Sequence, residues 1–162
     1  MNILLKNVKI VDSKSSFNGK KRDIGIVNGK ITFDIKNNKF SKEIDLKGAT
    51  VCPGFMDLRA FMGEPGIEYK EDFNSFQNAA KRGGFTSVAI LPNTYPVIDN
   101  KDILKNIINQ SKDEVVNIYP LAALSKEAKG EELSEMIDLH NNGAIAFTDG
   151  HNPIYQSDLI LK

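Results

Sequence analysis

From about residue 49 onward, short runs of apolar and β-branched residues alternate with stretches whose apolar positions recur at helical spacing. That alternation calls for a parallel sheet with covering helices, since each crossover returns the chain to the same end of the sheet. Residues 49–56 lead into a first strand ending near Asp57, and Phe85-Thr-Ser-Val-Ala-Ile-Leu91 forms a second, stopped by Pro92. Residues 115–123 form a third strand and Ala144-Ile-Ala-Phe147 a fourth. The spacing predicts a helix over 71–82, with Phe73, Phe76 and Ala80 on one face and Gly83 just past its end. Asn100 has the side chain to cap a second helix, whose apolar face is Ile103, Leu104, Ile107 and Ile108. A third helix is expected over 131–140, carrying Leu133, Met136, Ile137 and Leu139 and ended by Gly143. The near-continuous apolar character of the strands fits a sheet covered on both faces.

The fold class expected is therefore α/β. No Gly-x-Gly-x-x-Gly follows any strand, which disfavours a doubly wound dinucleotide fold and leaves a (β/α)8 barrel. Such a barrel takes about 250 residues, whereas this chain has 162. Residues 53–162 read as the first four β/α units of an incomplete barrel, with 157–162 entering the next helix. The expectation is a segment of a longer polypeptide or an oligomer joined through the open edge. Residues 1–52 read differently, as short strands. Asn28-Gly29 lies between two strand-like runs and supplies the positive φ angles of a type I′ hairpin turn. Residues 44–46 form a further short strand closed by Lys47-Gly48, and the segment looks like one half of a small β-sandwich.

Twenty-one basic and 21 acidic residues cancel, so there is no electrostatic footprint for nucleic acid or an anionic membrane. No apolar run approaches the roughly 20 residues of a membrane span. The amino terminus lacks the long apolar run of a secretory signal, so the location expected is cytoplasmic. Cys52 is the single cysteine, which excludes an internal disulfide or a cysteine zinc cluster, and it is expected in the core.

Five segments carry a resemblance. They are Pro53-Gly-Phe-Met-Asp-Leu58 followed by Glu64-Pro-Gly66, Gly83-Gly-Phe-Thr86, Leu91-Pro-Asn-Thr-Tyr-Pro-Val-Ile-Asp99, Lys129-Gly-Glu-Glu-Leu-Ser-Glu-Met136, and Gly143-Ala-Ile-Ala-Phe-Thr-Asp149. In this order the chain resembles the dihydroorotases of the amidohydrolase superfamily, of the longer-chain bacterial type. The resemblance implies the barrel and hydrolysis or closure of a cyclic amide by zinc at the barrel mouth. In that family the first strand ends in a His-x-His pair. Residues i and i+2 of a strand face the same side, so both imidazoles reach one metal, which activates a bound water.

Here that stretch reads Asp57-Leu-Arg-Ala-Phe-Met-Gly-Glu-Pro-Gly66. Arg59 and Phe61 occupy the two His positions, and Gly63 stands where the family has an Arg for the substrate carboxylate. A guanidinium has no lone pair to donate and a phenyl ring has no donor atom, so no zinc is expected at this strand end. The Arg59 guanidinium is expected in its place, paired with Asp57, Glu64 or Asp149, because a buried cation must be paired. Phe61 is expected to fill the volume of the second imidazole. Restoring Arg59→His, Phe61→His and Gly63→Arg together is the change the resemblance suggests for recovering a metal. Asn93 matches the family's substrate-binding Asn, and equally suits turn chemistry. Asp149 is either a remnant of the metal-site carboxylates or a strand-end cap, and without a His pair the cap is favoured. His151 could reach the same side, but two groups fall short of the three or four a zinc site needs. A loop role is favoured for it, and His140 ends a helix where a cation suits the dipole.

The functional expectation is a dihydroorotase-like protein of pyrimidine biosynthesis that is non-catalytic and serves as scaffold or partner for aspartate transcarbamoylase, as inactive members of the family do. One alternative is an active dihydroorotase or other cyclic-amide hydrolase using metal ligands beyond residue 162. The other is a binding module for an acidic metabolite, with Arg59 as a charge-assisted anchor.

Overall fold

The computed structural model describes residues 1–161. The end of the helix expected over 157–162 lies, at Lys162, outside the described residues. Backbone contacts divide the chain into two compact units, Met1–Pro53 and Gly54–Lys162.

The first unit is a mixed five-stranded sheet. Its centre is β1 (Ile3–Ile10), flanked on one side by antiparallel β2 (Lys21–Val27), which pairs in turn with β3 (Lys30–Thr32). On the other side, β4 (Lys42–Asp45) and β5 (Thr50–Val51) run parallel to β1. The β2–β3 connection is Asn28-Gly29, with φ of 50° and 75°, the left-handed pair that a type I′ turn requires. Val8, Ile10 and Ile24 form the buried core of this sheet, with Phe17, Phe33 and Val51 packed against it. Cys52 is exposed rather than in the core. It lies past β5, where the Thr50–Val51 pairing with β1 has already ended and no longer holds the chain to the sheet.

In the second unit, β6 (Phe55–Ala60), β7 (Phe85–Ile90) and β8 (Asn117–Pro120) form a parallel sheet in that order. The helices α1 (Phe73–Gly83) and α2 (Lys101–Gln110) are the crossovers. Val88, Ile90 and Ile118 pack with Phe73, Phe76, Leu104 and Ile107 in one core cluster. Ala89, Leu91 and Leu121 form a separate buried cluster. Side chains alternate faces along a strand, so β7 is buried on both, which is why its sequence is apolar at every position from Val88 to Leu91. Gln77 is a buried polar side chain in this interior. Its amide donates to the Val116 carbonyl and accepts from the Val116 N–H, so both ends of that amide are satisfied.

The helix ends follow local chemistry. Asp72 caps α1 with its carboxylate on the Ser75 N–H, a bond that holds its pKa below the ordinary value. The left-handed residue closing α1 is Gly84, at φ 79°, and Gly83 still belongs to the helix. Both glycines suit the role, and the capping hydrogen bonds to Ala80 and Lys81 decide between them. Asn100 caps α2 by accepting from the N–H groups of Asp102 and Ile103. Asn100→Ala is expected to lower stability by about 1 kcal/mol without changing the far-ultraviolet spectrum, as measured by urea denaturation. A change below a few tenths would mean that packing alone holds this helix start.

Three expectations need correction. The helix expected over 131–140 is confined to α3 (Met136–Asn141). Residues ahead of it are held extended instead: Ser125 bridges Leu133, and Ser134 bonds Leu124 and Ala123 through its N–H and hydroxyl. Those backbone groups are thereby unavailable to a helix, and Ile137 is left 82% exposed rather than on an apolar face. The third strand is shorter than 115–123, with Val115 exposed. The fourth strand, 144–147, is reduced to one parallel bridge between Ala122 and Phe147. Ala122 serves this neighbour with both its N–H and its carbonyl. Pro120, two residues earlier and facing the same side, has no N–H to extend the ladder. A last short helix, α4, spans Ser157–Ile160.

Candidate functional site

The carboxyl-terminal ends of parallel strands are where an α/β sheet presents its loops, and here they gather most of the residues singled out above. A register shift between Asp57 and Ala60 sets three residue steps of β6 against two of β7. At this irregularity Asp57 accepts the backbone N–H of Arg59 at 2.9 Å. The Arg59 side chain is exposed and donates from Nη2 to the carbonyl oxygen of Gly150 at 3.1 Å. Phe61, half-buried, sets its ring against the imidazole of His151, with centroids 5.7 Å apart and planes tilted by 51°. The end of β6 and the 149–151 loop are thus tied together by one cation and one aromatic pair.

The expected ion pair for Arg59 is not formed. Among the described residues no carboxylate lies within ion-pair distance of it. Each acid proposed for it serves another group. Asp57 holds the bulged backbone. Glu64 receives the Phe73 N–H and the Gln110 amide, each at 2.7 Å, linking the start of α1 to the end of α2. Asp149 is buried and accepts the Ser125 N–H at 2.9 Å on one oxygen and the Ser125 hydroxyl on the other. The reason is solvation: an exposed guanidinium keeps its water and does not require a counter-ion, unlike a buried one.

Asn93 is equally committed. Its Nδ2 donates to the Asp149 carbonyl at 3.1 Å and its Oδ1 accepts the His151 N–H at 3.0 Å. Gly150 lies between these two bonds at φ 64°, and a Cβ there would run into Asn93 Oδ1. So Asn93 clamps the loop rather than shaping its own local turn. Gly63 is buried, and a Cβ on it would come within 2.5 Å of the Glu71 carbonyl oxygen and 2.7 Å of the Ile67 carbonyl oxygen. A glycine is needed there by the path of the neighbouring backbone. His140, exposed at the end of α3, stands apart from this cluster.

Sequence reasoning missed Ser125, whose hydroxyl takes the Gly130 N–H while donating to Asp149. An Ala-Leu-Ser-Lys run carries no signal for that role. The loop following Ser125 includes Glu127 and Ala128, both at φ 54°, an unusual pair for non-glycine residues. Its rim carries two exposed ion pairs. Hydrogen bonding to Lys129 holds the Glu127 carboxyl below its ordinary pKa, and the Glu132 carboxylate raises that of Lys126.

These side chains do not fit a divalent metal. Arg59 and Phe61 offer no lone pair, Asp149 has both oxygens engaged by Ser125, and the His151 ring leans on Phe61. Among the described residues no three His, Cys, Asp or Glu side chains converge into a possible ligand set. Nor is any described helix long and apolar enough to cross a membrane.

The family described as dihydro-orotase-like matches residues 48–160. The chain belongs to this family. Over 99% of its length it is 44% identical to a dihydroorotase of Acetivibrio thermocellus, and over its full length 42% identical to one of Ruminiclostridium cellulolyticum. The chain spans 38% of the length of each of these relatives. Among solved structures, an L-hydantoinase (dihydropyrimidinase) from Arthrobacter aurescens superposes with a TM-score of 0.71 at 22% identity. That match covers 90% of this chain and 32% of the hydantoinase. A dihydroorotase crystal structure superposes with a TM-score of 0.56 at 16% identity, covering 90% of this chain and 41% of the other. At those identities the likeness is one of fold, and the mixed α/β arrangement is consistent with a partial (β/α)8 barrel.

Proposed function

We propose that this dihydroorotase-like chain belongs to pyrimidine biosynthesis in the cytoplasm without itself performing the hydrolysis, and acts as scaffold or partner for aspartate transcarbamoylase. The observation that carries the reading is the state of the β6 strand end. Arg59 and Phe61 stand where donors are needed, and the one buried acid nearby, Asp149, is saturated by Ser125. The helix cap and turns around that spot are intact, as a protein kept for its surface requires. On this reading Asn93, Gly63 and Asp149 are structural positions, and residues 53–162 are the first β/α units of a barrel that further chain or a partner completes. The sheet of residues 1–52 is one layer of a β-sandwich on the same reading.

The experiment is metal analysis of the purified protein beside a dihydroorotate hydrolysis assay and co-elution with aspartate transcarbamoylase. The expected result is substoichiometric zinc, no turnover above buffer, and a shared elution peak. Stoichiometric zinc with side-chain ligands at about 2.0–2.3 Å at this strand end would overturn the non-catalytic reading. Failure to co-elute would remove the partner.

A further inference from the structure

We infer that the basic sheet of residues 1–53 docks on the acidic α/β part of a second copy of this chain. The neutral total of 21 basic and 21 acidic residues conceals a division. Met1–Pro53 holds eleven basic and five acidic residues, a formal +6. Gly54–Lys162 is left with ten and sixteen, a formal −6.

Within the sheet unit the acids are already engaged. Glu43 pairs with Lys6. Asp23 and Asp45 accept from Asn7, Asp12 from the Lys14 N–H, and Asp34 from Asn37. The other ten basic side chains are exposed, and among the described residues none of them forms an ion pair. Lys9 on β1 and Lys21 on β2 are register partners, directly opposite each other. The Lys21 amine extends to the turn at Lys47-Gly48, which brings a third cation to this face. Opposed like charges destabilise a sheet, and an acidic surface laid on them relieves the repulsion. The acidic unit has carboxylates to spare. Asp99, Glu127, Glu131, Glu132 and Glu135 lie about Lys126 and Lys129. Those two lysines pair with Glu132 and Glu127. Glu131 and Glu135 stay exposed, with no described cation at ion-pair distance.

The neutral total selects the occupant. A nucleic acid or anionic membrane drawn to the sheet also meets the −6 half, whereas a second copy has no net charge to oppose its approach and brings the matching face. The contact is heterologous, one face meeting a different one, so it continues from copy to copy. It is distinct from pairing along the open edge of β6, and it does not depend on the scaffold reading.

The test is sedimentation velocity of the full chain over a concentration series, with dithiothreitol present because Cys52 is exposed. It is run in about 10 mM and about 1 M sodium chloride, between which the screening length falls from about 30 Å to about 3 Å. Species larger than the 18.0 kDa chain are expected at low salt and the monomer at high salt. Lys9→Glu with Lys21→Glu should weaken association about tenfold or more, since exposed attractions become repulsions at two positions. Lys9→Glu alone sets a carboxylate opposite Lys21, so its melting temperature should hold or rise while association weakens. A merely structural lysine would do the reverse. Glu131→Lys with Glu135→Lys should likewise remain monomeric. Mixed together, the two double variants supply each other's missing face and should form a capped dimer of twice the chain mass. A parent monomer at low salt, association that survives high salt, or double variants that fail to complement each other would overturn the inference. Salt-sensitive binding of a DNA oligonucleotide without self-association would overturn it as well, with nucleic acid as the occupant.

Discussion

Replacing Gly63 with arginine is expected to destabilise the protein by about 3 kcal/mol or more, at the upper end of overpacking penalties. The family resemblance suggests the opposite, since it sets an arginine at this position in the catalytic members. The obstacle is local. A Cβ would lie 2.5 Å from the Glu71 oxygen and 2.7 Å from the Ile67 oxygen, both main-chain atoms. Neither can rotate aside as a side chain would. The Ile67 oxygen belongs to a turn closed by the Ile67 N–H on the Gly63 carbonyl at 2.7 Å, and Glu71 leads directly into the cap of α1. Relief therefore means moving the loop between β6 and α1 as a whole. Gly63→Ala isolates the Cβ from the rest of the side chain and should alone cost about 1–3 kcal/mol in urea denaturation. A loss for Gly63→Ala below about 0.5 kcal/mol, the ordinary range for a surface change, would show that the loop yields easily. The consequence for restoring chemistry is direct. The triple change Arg59→His, Phe61→His, Gly63→Arg meets a folding defect before it tests a metal site, whereas the two histidines without Gly63→Arg leave this turn intact.

Asp149→Ala is expected to cost about 3 kcal/mol, because it leaves the buried Ser125 N–H without an acceptor and removes the partner of the Ser125 hydroxyl. Asp149→Asn keeps one acceptor oxygen and should cost roughly half as much by the same reasoning. The effect should also be non-additive. Ser125→Ala alone loses the hydroxyl bonds to Asp149 and from the Gly130 N–H. Combined with Asp149→Ala it should show a coupling of about 1–3 kcal/mol, the range for residues sharing one network. Additive losses in the double variant would mean that the two residues act independently and that Asp149 does not anchor the 125–134 loop. Loss of the anchor should also free the 149–151 loop, since Asn93 grips that loop through the Asp149 carbonyl.

How far the sequence reached depended on the range of the interaction concerned. Features settled within a few residues were legible. Asn28-Gly29 set the hairpin because its two left-handed residues need no distant partner. Asn100 set the start of α2 because its acceptors and donors lie within three residues. The apolar spacing of 71–82 and the apolar run from Val88 to Leu91 reported a helix lying on a sheet buried on both faces. The absence of donor atoms at Arg59 and Phe61 is likewise chemistry intrinsic to those side chains, and no fold can supply it. What tertiary structure decided were choices among partners far apart in the chain. Arg59 bonds a carbonyl 91 residues away rather than an acid, Asn93 a loop 56 residues away, and Asp149 a serine 24 residues away. Each of these polar groups had several chemically acceptable partners. For buried Asp149 the loss of water demands a match, while for exposed Arg59 the chain path that brings Gly150 beside it makes the choice. The same selection shortened the helix expected over 131–140 and thinned the fourth strand to a single bridge. There the local propensities were sound, but Ser134 and Pro120 had already committed or lacked the backbone bonds those elements needed.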